Sequence, residues 1–233
     1  MTENLAARLA QVKGEIEKAA RRAGRDAADV KLVAVSKTHP AETLLAALAA
    51  GVAVFGENKV QEAETKIERI GRERAEWHLI GHLQSNKARR AVRLFDVIHS
   101  IDSIELAARL ERLCQEEGRA NLSVLIEVDL AGEATKNGVP EKDLPALVEF
   151  LRGAERLKLD GLMVLPPFDE DVEKTRPYFR RLRELRDRYM PGGELSMGMS
   201  HDFAAAVEEG ATIVRVGTAI FGERRQRVAA ADE

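Results

Sequence analysis

Hydrophobic and polar positions along this chain fall into two alternating kinds of segment. Short, nearly continuous apolar runs such as KLVAVSK are typical of parallel strands that are buried on both faces. Longer segments such as SIELAARLERLCQEEG place apolar residues three and four positions apart and charges on the other face, which predicts surface helices. The apolar runs predict eight strands, at 31–37, 52–57, 76–81, 96–102, 122–129, 159–165, 193–200 and 213–221.

The regular alternation of strand and helix predicts an α/β protein whose parallel sheet has helical crossovers. Eight such units favour a closed (β/α)8 TIM barrel over an open sheet, and no GxGxxG motif follows the first strand. No linker-like change of composition divides the chain, so residues 1–233 are expected to form a single domain. Within it, residues 1–24 are predicted to form an N-terminal helix and residues 223–233 a frayed polar tail.

Composition narrows the classes of protein that fit this pattern. The net charge of −3 gives no reason to expect a nucleic acid partner, and no apolar run is long enough for a membrane span. One cysteine, Cys114, cannot form an internal disulfide, so we expect a cytoplasmic protein. No metal site is expected, because no HxxxH or clustered Cys/His spacing links His78, His82, His99 and His201.

The end of the first predicted strand carries a lysine. Lys37 follows the apolar run LVAV, and the active sites of barrels lie where strands end and the following loops begin. A lysine shielded from water there loses its proton more readily, which makes its amine a nucleophile towards an aldehyde. The alternative is a lysine whose stem packs on the barrel rim while its ammonium group reaches solvent. Position alone leaves both interpretations open.

The ends of the seventh and eighth predicted strands are suited to binding an anion. Gly217 lets the backbone approach an anion closely, and the hydroxyl of Thr218 can donate to phosphate oxygens. Ser200 supplies another hydroxyl, and barrels often bind phosphate between these two loops. The alternative is that Ser200, Asp202 and Thr218 only cap helices, with Asp202 as an N-cap.

A second basic residue, Arg215, lies two positions before Gly217, so both residues face the same side of the strand. A charged group inside a barrel is costly unless it is paired. The position therefore predicts one of two contacts, a polar ring atom of a ligand or a structural pair with Glu127 or Asp129.

With these residues assembled, the chain resembles the pyridoxal phosphate homeostasis protein family, also called the YggS or PROSC family. The resemblance extends from residue 32 to residue 224, and WHLIGHLQSNK together with LSMGMSHDF is its most specific part. The matching stretches are LVAVSKTHP, FGENKVQE, WHLIGHLQSNK, SIDS, GLMVLPPF, LSMGMSHDFAAAVEEG and VRVGTAIFGER.

The resemblance implies a fold like the N-terminal barrel domain of alanine racemase, and pyridoxal 5'-phosphate (PLP) as the cofactor. By motif, Lys37 corresponds to the lysine that forms an aldimine with PLP, and Arg215 to the arginine that faces the pyridine nitrogen. The remaining correspondences are Ser200, Gly217 and Thr218 at the phosphate, Asn58 in the pocket lining, and Lys136 as a loop lysine that helps the cofactor enter or leave.

The resemblance and the identity of Arg215 together favour a protein that holds PLP and delivers it to apo-enzymes. An arginine cannot accept a proton, so the pyridine nitrogen facing it should stay unprotonated and the ring should withdraw electrons weakly. The second acid–base tyrosine of alanine racemase comes from another domain, whereas Tyr178 and Tyr189 lie in a helical segment. We therefore expect no catalytic residue and a monomer. The alternatives are a racemase-like PLP enzyme with an unknown amino-acid substrate, and a barrel that binds another phosphate without an aldimine.

Overall fold

Eight parallel strands form a closed barrel, as the sequence predicts. The computed structural model describes residues 2–132 and 137–222. The predicted tail at 223–233 and the loop lysine Lys136 lie outside the described residues.

The order of the strands around the barrel is their order along the chain. Strand β1 pairs with β2 on one side and with β9 on the other, and a parallel β4–β5 pairing completes the ring. The short β6 pairs with the end of β5 as an addition to the eight barrel strands. The strands are β1 (Lys31–Val35), β2 (Val54–Glu57), β3 (Glu76–Leu79), β4 (Val97–Ile101), β5 (Leu122–Asp129), β6 (Val139–Pro140), β7 (Leu157–Met163), β8 (Glu194–Ser196) and β9 (Ile213–Val216).

Helices connect consecutive barrel strands and precede the first one. The N-terminal helix, predicted over 1–24, covers Thr2–Arg22 in the structure. Cys114 is buried on the helix that follows β4, as its apolar spacing indicates. The helices are α1 (Thr2–Arg22), α2 (Ala41–Ala49), α3 (Val60–Ile70), α4 (Ala88–Leu94), α5 (Ile104–Glu116), α6 (Leu144–Arg152), α7 (Arg176–Tyr189), α8 (Phe203–Glu208) and α9 (Thr218–Phe221).

Apolar side chains pack in two layers because neighbouring residues on a strand face opposite sides. Ala34 and Phe55 belong to the large core between the strands and the surrounding helices. Residues one position away on the same strands belong to a separate small cluster, which fills one level of the barrel interior. Its members are Val33, Val54, Val97, Leu125 and Ile213.

Six predicted strands are shorter in the structure than the sequence indicates, four of them by two residues and the seventh and eighth by five. The seventh was expected to reach residue 200 but ends at Ser196, and Gly198 beyond it takes a φ of 91° that an extended strand cannot accommodate. The eighth was expected to reach residue 221 but ends at Val216, and residues 218–221 form the short helix α9. Apolar residues at 218–221 fit a buried helix as well as a strand, so periodicity alone does not separate the two.

No helix within residues 2–132 and 137–222 is both long enough and apolar enough to cross a lipid bilayer.

Candidate functional site

A cavity of about 560 Å³ lies at the carboxyl end of the barrel strands. It is bordered by the loops that follow β1, β2, β8 and β9, which is where barrels place their sites. The structure brings all six predicted site residues to this one cavity. They are Lys37, Asn58, Ser200, Arg215, Gly217 and Thr218.

Lys37 lies on a tight turn whose backbone is fixed by hydrogen bonds to neighbouring side chains. The hydroxyl of Ser36 donates to a carboxylate oxygen of Glu57 at 2.5 Å, and the ammonium of Lys66 donates to the carbonyl oxygen of Ser36 at 2.8 Å. Thr38 has a φ of 69°, a left-handed conformation that is uncommon for residues other than glycine. The turn that carries Lys37 therefore depends on its surroundings to keep this shape.

Those surroundings are a buried ion-pair cluster, which we define as Glu57, Glu62 and Lys66. Lys66 contacts Glu57 at 2.6 Å and Glu62 at 2.7 Å, and Glu62 accepts the backbone N–H of Thr38 at 2.5 Å. Lys66 and Glu57 are almost fully buried, so losing the charge of Lys66 would leave Glu57 unpaired in the interior, whereas losing Glu57 would leave Lys66 with Glu62 alone. The cluster was not predicted, although the Glu62–Lys66 spacing of four on a helix is a recognisable pairing signal.

The anion-binding side of the cavity is built by the loops after β8 and β9. Ser200 Oγ accepts the backbone N–H groups of Gly217 at 3.1 Å and Ala219 at 3.4 Å, which leaves its hydroxyl proton as a donor. A β-carbon on Gly217 would lie 3.1 Å from the carbonyl oxygen of Val35, so only glycine fits there without displacement. Thr218 begins α9, and the first N–H groups of a helix have no acceptor within it.

Asp202 has a different role from the N-cap that the sequence suggests. It precedes α8, but its carboxylate accepts the backbone N–H of Met199 at 2.7 Å and makes no capping bond to the helix. This hydrogen bond joins the residues on either side of Ser200, so Asp202 fixes the conformation of the loop that carries Ser200.

Arg215 is 2 % exposed and points into the barrel interior, where its neighbours are neutral. One terminal nitrogen donates to Ser196 Oγ at 2.5 Å and the other to the carbonyl oxygen of Val164 at 2.9 Å. Among the described residues no carboxylate lies within ion-pair distance of Arg215, so the predicted direct pair with Glu127 or Asp129 does not form. Burial lowers the pKa of Arg215 to about 10, and the more distant Glu127 opposes that shift.

Glu127 lies at the end of β5 and lines the same cavity. It is 4 % exposed, and burial raises its pKa to about 7, while the Arg215 charge acts in the opposite direction. A carboxyl group in this range can hold or release a proton near neutral pH.

The histidines lie at two separate places in the barrel. Within residues 2–132 and 137–222 no group of three or more His, Cys, Asp or Glu side chains could hold a metal ion. His82 and His201 line the cavity mouth, with His82 within 3.2 Å of Asp102. His78 and His99 instead contact each other inside the barrel at 2.8 Å, a pairing that sequence spacing did not indicate.

The donor set of the cavity fits a phosphorylated aldehyde with an aromatic ring. An amine at Lys37 can attack an aldehyde, and the amides and hydroxyls at Ser200 and Thr218 can bind a dianion. The buried guanidinium of Arg215 can donate to a ring nitrogen at the floor of the cavity.

Comparison with known proteins agrees with this geometry. The family model described as alanine racemase, N-terminal domain matches residues 8–225. A pyridoxal phosphate homeostasis protein of Aquifex aeolicus is 44 % identical over 229 residues, which cover 95 % of this chain and 99 % of that protein. A protein of the same name from Pseudomonas aeruginosa is 44 % identical over 221 residues, covering 94 % of this chain and 96 % of the relative.

Solved structures show the same fold. PipY of Synechococcus elongatus, solved with PLP bound, superposes with a TM-score of 0.82 at 40 % identity and covers 94 % of this chain and 100 % of its own. An alanine racemase from Oenococcus oeni superposes with a TM-score of 0.71 at 19 % identity, covering 100 % of this chain and 65 % of that chain. The second likeness concerns the barrel fold alone.

The raised pKa of Glu127 predicts a pH dependence of stability that Glu127→Gln removes. The folded protein binds this proton more tightly than the unfolded chain, whose glutamate has the ordinary value of 4.5. The stability of the wild type relative to the variant should therefore fall as pH rises from about 4.5 through about 7. The loss should approach about 3 kcal/mol, at roughly 1.4 kcal/mol for each pKa unit.

Urea unfolding of both proteins at pH 5 and pH 8.5 measures this double difference. Glu68→Gln, at an exposed position of α3, is the matched control and should show no such trend. A constant difference between wild type and Glu127→Gln at the two pH values would contradict the assignment.

Proposed function

This chain belongs to the pyridoxal phosphate homeostasis protein family, and from that premise we propose that it binds PLP in the cavity at the barrel mouth. The observation that carries the proposal is that one cavity combines the amine of Lys37 with the anion-binding loop at Ser200, Gly217 and Thr218. The solved relative PipY, which holds PLP in a barrel of the same fold, supports it.

In this proposal, Lys37 holds the aldehyde end of the cofactor. Its neutral amine condenses with the aldehyde carbon, water leaves, and the product is an imine at Nζ. The buried ion-pair cluster fixes the backbone on both sides of Lys37, so the amine keeps its place while the cofactor enters or leaves. Bound PLP supplies an electron-withdrawing ring and an aldehyde that reacts with amines.

The loop after β9 would hold the phosphate. The hydroxyls of Ser200 and Thr218 would donate to the phosphate oxygens, and Gly217, whose N–H donates to Ser200 Oγ, would let the backbone approach them closely. Asn58 lines the wall of the cavity on the β2 side. Arg215 donates to the pyridine nitrogen and leaves it unprotonated, because a guanidinium has no lone pair to accept a proton. An unprotonated ring stabilises a carbanion poorly, so the site is suited to holding PLP rather than to amino-acid chemistry.

We further propose that the chain stores PLP and delivers it to apo-enzymes as a cytoplasmic monomer. Reversible imine formation at one lysine retains a reactive aldehyde without consuming it, which is what storage requires. Tyr178 and Tyr189 lie on α7, and neither lines the cavity, so the site offers no tyrosine as an acid–base partner for Lys37.

One observation favours a second candidate, a PLP-dependent enzyme acting on an amino acid. Glu127 lines the cavity with a pKa of about 7, so it could serve as a general acid or base opposite Lys37. This candidate requires turnover of an amino acid at about 1 per second or faster, as is common for enzymes. It also requires that rate to fall in Glu127→Gln. Absence of turnover in purified, cofactor-loaded protein would exclude it.

Removing the two phosphate-binding hydroxyls should weaken PLP binding. In the double variant Ser200→Ala/Thr218→Ala, each lost bond to an anion removes roughly 1.5 kcal/mol or more, so the affinity should fall by about 100-fold in total. Titration of cofactor-free protein with PLP, followed by visible absorbance, measures the dissociation constant.

Ser85→Ala is the matched control, because Ser85 is exposed and is not part of the cavity wall. Equal loss of affinity for pyridoxal without its phosphate would show that these hydroxyls do not contact the phosphate. A protein that binds PLP but shows no visible absorbance band would contradict the imine and favour a barrel for another phosphate.

Delivery predicts direct transfer from the loaded protein to an apo-enzyme. Loaded protein should reactivate a PLP-dependent apo-enzyme even when an excess of a PLP-trapping agent removes free cofactor. Free PLP at the same concentration, mixed with the same trap, is the control and should reactivate little. If the trap suppresses both reactions equally, the protein only releases PLP into solution and the delivery proposal is wrong.

A further inference from the structure

A series of hydrogen-bonded polar side chains, which we call the hydrogen-bond chain, crosses the inside of the barrel and ends on Arg215. Its members are Glu76, His78, His99, Ser196 and Arg215. Arg215 contacts Ser196 Oγ at 2.5 Å, and Ser196 Oγ lies 2.9 Å from His99 Nδ1. His99 Nε2 lies 2.8 Å from His78 Nδ1, and His78 Nε2 lies 2.8 Å from Glu76 Oε1. Every one of these distances is short enough for a hydrogen bond.

The hydrogen-bond chain extends from one end of the barrel to the other. Glu76 is the first residue of β3 and is partly exposed at the amino end of the strands, where Lys31 contacts it at 2.9 Å. Arg215 lines the cavity at the carboxyl end. His78, His99 and Ser196, on three different strands, are fully buried between them.

The carboxylate of Glu76 sets the direction of every bond in the hydrogen-bond chain. Because a carboxylate only accepts, the neutral ring of His78 carries its proton on Nε2, and its Nδ1 accepts from His99 Nε2–H. His99 Nδ1 then has no proton and accepts from the hydroxyl of Ser196. The oxygen of Ser196 accepts in turn from Arg215, because a guanidinium only donates. Each buried donor and acceptor along the chain is then satisfied.

The charged groups around the hydrogen-bond chain favour the same donor and acceptor directions. The hydrogen bond from His78 lowers the pKa of Glu76 to about 2, so this end stays ionised at neutral pH. Burial lowers the pKa of both histidines, and His99 also faces the charge of Arg215, so both rings stay neutral. The other charged groups that act on the chain are Lys31 and Asp96 near His78, and Glu127 and Asp202 near Arg215.

We propose that Glu76, His78 and His99 are positioning residues for Arg215. Through Ser196 they form one directional hydrogen-bond chain that fixes the orientation of the guanidinium beside the cavity. The fixed orientation determines which N–H group Arg215 presents to a ligand. The effect of this orientation on the ring nitrogen of PLP rests on the proposed function, whereas the hydrogen-bond chain is a property of the cofactor-free protein.

The protonation sites can be read directly by ¹⁵N NMR of histidine side chains in cofactor-free protein. Protonated and unprotonated imidazole nitrogens have well-separated ¹⁵N shifts, so each ring reports which nitrogen carries the proton. We expect both His78 and His99 as the neutral Nε2–H form at pH 7.5, with any titration below the value of about 6.5 of a free histidine, because burial lowers both pKa values. This measurement needs no variant, so it stands even where a substitution prevents folding.

Glu76→Gln tests whether the direction is set from the far end. An amide can donate as well as accept, so the direction is no longer forced. His99, two hydrogen bonds away, should then shift its Nδ1 signal towards the protonated position. Glu194→Gln, at the exposed first residue of β8 at the same end of the barrel, is the matched control and should leave His99 unchanged.

In the PLP-loaded protein, Glu76→Gln should also displace the visible absorbance maximum, whereas Glu194→Gln should not. The proposal is overturned if wild-type His99 is protonated at Nδ1, if either ring titrates like a free histidine, or if Glu76→Gln changes His78 alone. If the protein does not bind PLP, the proposed function is wrong, but the NMR test of the hydrogen-bond chain is unaffected.

Discussion

The buried guanidinium of Arg215 is the constraint that the rest of the site has to satisfy. Moving a charge of this size out of water costs several kcal/mol, and no carboxylate among the described residues contacts it. Its partners are instead a backbone carbonyl and the hydroxyl of Ser196, which come from separate strands. These partners lie on β8, the neighbour of β9 in the sheet, and directly after β7, the next strand, whereas the contact from Ser196 to His99 on β4 crosses the interior of the closed barrel.

Lys37 faces the opposite requirement, because its amine has to be available to a ligand. The structure fixes the backbone on both sides of Lys37: Lys66 donates to the carbonyl oxygen of Ser36, and Glu62 accepts the N–H of Thr38. Both of these contacts come from the single helix α3, so the turn that carries Lys37 is held by a regular element, as a precise binding site needs. Arg215 and Lys37 are supported by different polar networks, so a substitution in one network should leave the other in place.

The sequence predicts the barrel well because its strands are continuous apolar runs of β-branched residues separated by amphipathic helices. Lys37, Ser200, Arg215, Gly217 and Thr218 could be singled out because unusual residues near the ends of barrel strands are visible in the sequence. Asn58 came from the family resemblance, and all six line one cavity. The hydrogen-bond chain from Glu76 to Arg215 could not be predicted, because it joins residues up to 97 positions apart that meet only in the closed barrel. The ends of β8 and β9 were misplaced for a related reason, since a glycine that breaks a strand looks like one that fits within it.

Reduction with borohydride followed by peptide mass mapping shows whether the cavity holds an aldehyde cofactor on Lys37. PLP-loaded protein should gain one reduced adduct, confined to the peptide that contains Lys37. Lys37→Ala should give no adduct, and Lys59→Ala, at a nearby exposed position, should behave like the wild type. An adduct on another lysine, or none in wild-type protein shown to contain PLP, would contradict the account.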